Sequence, residues 1–463
     1  MTHVHFIGIG GTGLSAIARV LLENGNTVSG SDRVLSPFAK QLRADGATVY
    51  VGHDAGHIKG ADWIVRSSAV ADDNPEVAAA LAAGVPVYKR ADFLGQMMED
   101  RTGIAVAGTH GKTTTTAMIA WTLFVLGRDP SFIIGSTLNN LKTNARAGKG
   151  KPFVIEADEY DRMFLGLKPH IAVVTNVEHD HPDCYPTFDD MYAAFEQFVD
   201  LLPEDGALVA CIDDPAATTL LHRVRRVGRS VVAYGNQGDQ TLASPQWMLS
   251  RNLQPNRHGG FDFEAVSNFF PTGQALRVSL QVPGAHNVQN SLAALAVTSL
   301  LGLPAHRAAE ALREFRGAGR RFEVLGEAGG VTIVNDYAHH PTEIRATLAA
   351  ARARWPEKRI WAVWQPHTYS RTQTLFEHYV SSFDNADEVI VTEIYAAREP
   401  KQDFTAAFVV SSMHHPSATF AAELKDVTKH LVKNVKPGDA VIVMSAGDAD
   451  RVSAELLARL LKK

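Results

Sequence analysis

Cysteine is scarce in this chain, with Cys184 and Cys211 the two examples in 463 residues. Two scattered thiols exclude a disulfide framework and fit a reducing compartment. Long apolar runs are missing too. No uninterrupted stretch is long enough to span a bilayer, and the start, Met1-Thr2-His3-Val4-His5-Phe6, has no basic segment leading into a signal-type apolar run. The expectation is a soluble cytoplasmic protein without membrane insertion. Positive charge is not in excess either: 45 Lys and Arg stand against 50 Asp and Glu, a formal net charge of -5. No global field draws the chain to nucleic acid, so any anion it binds must be held locally. With 45% hydrophobic and 21% charged residues, extensive disorder is excluded. At ~150 residues per domain the length points to about three domains.

What the chain does contain is a loop suited to phosphate. Gly108-Thr109-His110-Gly111-Lys112-Thr113-Thr114-Thr115-Thr116 follows the apolar run Gly103 to Ala107, read as a buried strand, and opens into Ala117 to Leu123, read as a helix. A glycine turn in that place aims backbone N–H groups and the positive end of a helix dipole at an anion. Lys112 adds a full charge and Thr113 a hydroxyl for Mg²⁺. The generic spacing has an earlier glycine where Val106 stands, and Gly108 substitutes for it in a tighter turn. The bland alternative is a glycine turn with a solvated lysine.

Residues 1 to 100 form a first α/β unit. His5-Phe6-Ile7-Gly8-Ile9-Gly10-Gly11-Thr12-Gly13 runs from strand to helix with G-x-G-x-x-G spacing, and Val28 to Asp32 ends the next strand on a carboxylate. Glycines there let backbone approach a pyrophosphate, and the acid can accept from a nucleotide hydroxyl. Alone, this favours a dinucleotide-dependent dehydrogenase. Ser67 and Ser68 end a later strand on the same edge, as ligand contacts or as polar turn residues.

Residues 101 to 316 form the central unit. Phe153 to Glu159 and Ile171 to Asn176 are apolar strands ending in polar groups, which should bring Glu156, Asp158, Glu159, Asn176, Asp180 and His181 to the edge holding the phosphate loop. Oxygen donors there suit Mg²⁺, and the lack of cysteine argues against zinc in that cluster. The polar stretch from Gln246 to Pro283 reads as an antiparallel flap, with Arg251 to Arg257 as loop. His286, Asn287 and Asn290 precede a helix expected over Ser291 to Leu301; they either reach a purine or cap that helix.

Gly317-Ala318-Gly319-Arg320-Arg321-Phe322 reads as a hinge, and residues 317 to 463 as a third unit. Four strands there end on one edge, gathering Asp336, His339, His340, His367, Arg371, Glu393 and Asp448; polar turns capping helices are the alternative. A final helix over Ala449 to Lys463 turns Leu456, Leu457, Leu460 and Leu461 to the core.

Taken together, the fingerprint His5 to Ser15, Gly108 to Thr116, Glu156 to Asp161, Thr175 to Asp183, Gly284 to Asn290, Asp336 to Glu343 and Gln365 to Thr372 resemble, in order and over essentially the whole chain, the Mur ligases of peptidoglycan synthesis. The resemblance implies an α/β protein of three domains: a Rossmann-like UDP-binding domain, a central P-loop ATPase-like domain and a C-terminal Rossmann-like domain. It implies ATP and Mg²⁺ as cofactors, with Gly108, Thr109, His110, Gly111, Lys112, Thr113 and Thr114 at the phosphates. His286, Asn287 and Asn290 fall at adenine, Arg321 or Arg320 on ATP after closure, and Asp336 near the nucleotide. Thr113, Glu156 and His181 are the implied metal residues. UDP rather than NAD would lie on Gly10, Gly11, Thr12 and Gly13, with Asp32 and Ser68 near the uridine. Within the family the likeness is to the branch that joins L-alanine to the lactyl carboxylate of UDP-N-acetylmuramate; a ligase recycling a murein tripeptide onto the same sugar is the alternative. Lys112, His181, His340 and Arg371 are the implied catalytic set, with Arg371 on the amino-acid carboxylate beside His339 or His340. Two departures stand out. Thr368 replaces an arginine common after Gln-Pro-His, and the segment Met191 to Glu196 lacks the lysine that sister ligases carbamylate, leaving Glu196 to supply the charge. A monomer or homodimer is expected.

Overall fold

Apolar strands alternating with helices collect into three successive sheets, each visited once by the chain. The computed structural model describes residues 1–236, 245–272 and 274–462. In the first sheet the order is Thr48–Val51, Thr27–Asp32, His3–Ile7, Trp63–Arg66, Val87–Lys89, all parallel. The sheet order reverses beside His3–Ile7, so the crevice of a doubly wound sheet opens above Gly8 to Gly13. The helix Thr12–Glu23 buries Leu14, Ile17, Ala18 and Leu21 against it.

The central sheet has ten strands among the described residues. Its parallel heart runs Ser230–Gly235, Ala207–Cys211, Ile171–Val174, Thr102–Ala107, Pro152–Glu156, Ser131–Leu138. Gln246–Pro255 joins parallel to Ser230–Gly235, then Phe261–Ser267 and Ala275–Ser279 extend the same sheet antiparallel. The expected loop at Arg251 to Arg257 is corrected here: Arg251 to Pro255 belongs to a strand. Its apolar alternation is lost because this extension is solvated, and a bulge near Asn252 (φ 58°) turns Arg251 Nε and Asn252 Nδ2 onto Glu264 Oε2 at 2.8 and 3.0 Å.

The helices Lys112–Val125 and His286–Leu300 lie side by side on one face of this sheet. Four consecutive threonines are poor helix formers, by ~0.5 kcal/mol each relative to alanine. Burial and local bonds compensate: Thr116 Oγ1 donates to Lys112 O at 2.7 Å and Thr115 Oγ1 to Asn290 Oδ1 at 3.0 Å. Ala117, Ile119, Ala120, Leu123, Leu292 and Leu295 are fully buried around them, each large aliphatic contributing ~1.5–3 kcal/mol. The helix expected from Ser291 therefore begins five residues earlier, and His286, Asn287 and Asn290 occupy its first turns.

The third sheet runs Glu323–Ala328, Val331–Asp336, Ala440–Met444, Ile360–Trp364, Glu388–Val391, Ala418–Phe420, parallel except for the first pair. In the last helix, Asp450–Leu460, Leu456 and Leu460 are buried whereas Leu461 lies beyond it and is 68% exposed; Lys463 lies outside the described residues. Glu196 is also corrected: its carboxylate is held by Arg223 Nη1 at 3.2 Å on the outer face of Phe188–Asp200.

Joints between the units are well bonded. One apolar cluster spans the first and central sheets, from Val4 and Phe93 to Phe153 and Phe164, and Glu23 Oε2 accepts from Ala147 N at 2.7 Å. In this arrangement the residues read as a hinge are bonded to the central sheet. Ala318 bridges to Leu138, Gly319 N donates to Thr137 O at 2.8 Å, and Ser136 Oγ to Gly319 O at 2.6 Å. Arg320 and Phe322 take positive φ (55° and 46°), which side-chain-bearing residues adopt at a cost of ~1 kcal/mol or more. No helix among the described residues is long and apolar enough to cross a membrane.

Candidate active site

The phosphate loop is shaped by two glycines. Gly108 (φ 140°) packs so tightly that a Cβ would strike Thr175 Oγ1, and at Gly111 (φ 80°) it would come within 2.8 Å of Asn290 Oδ1. Lys112 Nζ folds over the turn, donating to Gly108 O at 2.6 Å, Thr109 O at 3.1 Å and Glu159 Oε1 at 2.8 Å. Burial alone would lower its pKa, but Glu159 outweighs that and raises it, so the charge is kept. Thr113 Oγ1 donates to Glu156 Oε1 at 2.8 Å, and Gly135 N holds the other Glu156 oxygen at 2.6 Å. A hydroxyl and a carboxylate so paired are the hard oxygen donors that suit Mg²⁺.

Beside the loop is a cavity of about 290 Å³, lined among others by His110, Gly111, Thr114, His286, Asn287, Asn290, Arg321 and Asp336. The predicted nucleotide residues thus meet, with their roles altered in detail. Asn290 Nδ2 donates to Asn287 Oδ1 at 2.9 Å and Asn287 Nδ2 to Pro283 O at 2.6 Å, so these amides first tie helix to loop. Burial, with Arg321 nearby, lowers His286 to about 4 and keeps it neutral. Asp336 accepts from Phe322 N and Ala338 N, both at 2.7 Å, which is a turn-capping role; burial still raises it to about 6. Of the two hinge arginines, Arg321 reaches the loop, with Nη2 3.5 Å from Thr113 Oγ1 and Nη1 3.5 Å from Glu343 Oε1. Arg320 turns instead to Ser445 O at 2.7 Å.

Across the interface Arg371 is 3% exposed, far from a free surface arginine. Its Nε donates to Asp180 Oδ1 at 2.6 Å, while Nη1 lies 3.0 Å from His367 Nδ1 and Nη2 3.2 Å from His181 Nδ1. In this arrangement the arginine expected at a substrate carboxylate is paired with a carboxylate of the chain itself, Asp180. Desolvation works against the charge on each, and their attraction wins, holding Asp180 well below and Arg371 above its usual range. His181 (φ 53°) points its Nε2 to Glu159 Oε1 at 3.6 Å, so it joins the Lys112–Glu159 pair rather than Thr113 and Glu156. His339 Nδ1 lies 2.9 Å from Tyr337 O, and burial lowers it to about 4. His340 caps the helix Pro341–Arg354, accepting from Thr342 N at 3.3 Å.

In the first unit Gly10 N donates to Asp32 Oδ2 at 2.8 Å and Ser36 Oγ to Gly10 O at 2.8 Å, so Asp32 braces the glycine turn. Gly11 precedes the helix that Thr12 begins, and a Cβ at Gly13 would strike the Arg90 guanidinium. Ser68 is exposed in the turn after Trp63–Arg66. Beneath the turn Glu76, fully buried, accepts from Ser31 Oγ at 2.5 Å, His57 Nδ1 at 2.8 Å and His53 Nδ1 at 3.0 Å. Sequence reasoning passed over Arg90, which also reaches Asp158 at 3.3 Å, and Glu178, which accepts from Thr342 Oγ1 at 2.7 Å across the interface. The density of polar residues after Ile171–Val174 was the signal for Glu178.

A nucleotide-type crevice, a phosphate loop with a buried lysine, and a third unit delivering an arginine to that loop define a three-domain ligase architecture. Three family models match in order: Mur ligase family, catalytic domain, over residues 3–102; Mur ligase middle domain over 106–298; and Mur ligase, glutamate ligase domain, over 320–447. The chain belongs to the Mur ligase family. It is 42% identical over 466 aligned residues to UDP-N-acetylmuramate--L-alanine ligase of Roseiflexus sp. (strain RS-1), covering 100% of this chain and 99% of that protein. The protein of the same name from Pelobacter propionicus is 43% identical over 99% of this chain and 98% of its own length. Among solved structures, UDP-N-acetylmuramate-alanine ligase from Thermotoga maritima superposes with a TM-score of 0.79 at 29% identity, covering 99% of each chain. A murein peptide ligase from Psychrobacter arcticus gives 0.71 at 27% identity, covering 100% of this chain and 99% of that one.

Proposed function

We propose that this chain joins L-alanine to the lactyl carboxylate of UDP-N-acetylmuramate while converting ATP to ADP and phosphate. The observation that carries the reading is Arg321, a third-domain guanidinium placed on Thr113 of the phosphate loop, within a chain similar end to end to ligases of that name. A carboxylate does not condense with an amine at neutral pH, so it must first be made electrophilic. Its oxygen attacks the γ-phosphorus, the bond to the β-phosphate oxygen breaks, and an acyl phosphate forms. Lys112, Arg321 and the loop amides stabilise the charge that develops on the transferring group. The amine then attacks the acyl carbon, loses a proton, and inorganic phosphate leaves with the amide formed.

Thr113 and Glu156 fit Mg²⁺, which when bound supplies charge neutralisation at the phosphates. UDP is assigned to Gly10 through Gly13, where backbone rather than a lysine faces the diphosphate. Arg371 takes the α-carboxylate of L-alanine by exchange with Asp180, with His339 and His340 alongside. Phosphate release measured with UDP-N-acetylmuramate against a panel of amino acids and the murein tripeptide tests the reading. L-alanine should give the highest kcat/KM; turnover of the tripeptide with L-alanine ignored would transfer the chain to the recycling activity.

A further inference from the structure

One cluster at the interface brings together donors whose joint geometry this reaction scheme does not use. His110 of the phosphate loop, Glu178 after the strand Ile171–Val174, and His340 at the start of Pro341–Arg354 bring one ligand atom each within 4.8 Å of one another. His110 Nε2 lies 3.3 Å from Glu178 Oε2, and His340, whose Nδ1 accepts from Thr342 N, keeps its Nε2 for a ligand. Bonds of ~2.0–2.1 Å from a tetrahedral ion to N and O donors place ligand atoms roughly 3.3–3.4 Å apart, so the His110–Glu178 spacing is already that of a coordination shell. The surroundings match as well. His110 Nδ1 faces Glu343 Oε1 at 3.4 Å, the carboxylate–imidazole pairing that orients a metal-bound histidine, and Thr342 Oγ1 fixes the Glu178 oxygen at 2.7 Å. His340 is 4% exposed, and its Nε2 has no hydrogen-bond partner.

We infer that His110, Glu178 and His340 form a binding site for a first-row transition ion, Zn²⁺ in particular, that is complete only when the central and C-terminal domains are closed. Two imidazoles and one carboxylate suit zinc, His110 releasing its proton to solvent as the ion enters, while Mg²⁺ prefers an oxygen shell that this set does not provide. The site differs from the Thr113–Glu156 pair, and it does not depend on which amino acid the protein ligates. Two ligands belong to the central domain and one to the third, so binding selects the closed arrangement and holds it. All three neighbour or line the cavity beside the loop, so a held ion also obstructs the γ-phosphate end. Zinc is thus an inhibitor that locks closure.

Isothermal titration of chelator-treated, nucleotide-free, full-length protein with ZnCl₂, run beside small-angle scattering, tests this. One site per chain is expected, weakened at least tenfold in Glu178→Gln and in His340→Gln and unchanged in His181→Ala, with a smaller radius of gyration on binding in the wild type alone. Zinc affinity equal in all proteins, no binding to the wild type, or loss confined to His181→Ala would each overturn the inference. If a variant fails to melt cooperatively, the visible absorption of wild-type protein titrated with Co²⁺ decides instead: intense four-coordinate bands displaced by one equivalent of Zn²⁺ support the site, and a spectrum like that of the aqueous ion rejects it.

Discussion

The chain has two glycine turns between a strand and a helix, and they are built differently. At Gly8 to Gly13 no lysine enters the turn; a carboxylate, Asp32, braces it through Gly10 N, and the cation near Gly13 is Arg90, which arrives from another helix. At Gly108 to Lys112 the cation is part of the turn and lies over its carbonyls, held by the buried Glu159. A turn that has only to hold a diphosphate can rely on fixed amides and a helix dipole, because the ligand's charge does not change. A turn that transfers a phosphoryl group needs charge that follows the group through the reaction.

Breaking the second turn should therefore do most harm to turnover. Lys112→Ala is expected to lower kcat by about 10³ or more, on the scale of one lost transition-state donor, while calorimetry finds UDP-N-acetylmuramate binding unchanged. Equal loss of both would show that the two turns do not work separately. In the opposite direction, Gly10→Ala puts a methyl 2.8 Å from Asp32 Oδ2 and should weaken UDP-sugar binding tenfold or more, leaving ATP binding near wild type. Arg371→Lys removes the fork that Asp180 and its neighbours share, so KM for L-alanine should rise about tenfold with less effect on acyl-phosphate formation; wild-type alanine kinetics would remove Arg371 from the pocket.

The smallest effect concerns what supports the first turn. Burial would raise the Glu76 carboxyl, but the nearby His5 imidazole and hydrogen bonds with Ser31, His57 and His53 outweigh it and hold the group at about 2, against 4.5 when unfolded. A depressed carboxylate contributes its full stability above pH 4.5 and loses it as pH falls toward 2. Thermal melting should decline through that window in the wild type and lose part of that slope in Glu76→Gln, with the two curves differing little in slope above pH 5.

Local signals were legible in the sequence, and assembled ones were not. Both glycine turns, the α/β class and the one-edge clustering of polar strand ends follow from residues adjacent in the chain. His286 to Asn290 misled because polar residues in the first turns of a helix look like the loop before it. Arg251 to Pro255 misled because a solvated antiparallel strand need not alternate. Asp180 on Arg371 and Glu178 on Thr342 join residues far apart in the chain, and only folding reveals that an arginine expected to await a substrate already has a carboxylate. The neutral His286 and the charged His110, held at about 9 by Glu178 and Glu343 against the effect of burial, likewise depend on neighbours from distant segments.

Each sheet is completed before the chain begins the next, and this sets an order in time during synthesis. The last strand of the central sheet, Ala275–Ser279, is made before Arg321, His340 and Arg371, by an interval of roughly 2–18 s at ~5–20 residues per second. A nascent chain can thus fold a nucleotide pocket while lacking the guanidinium that completes it.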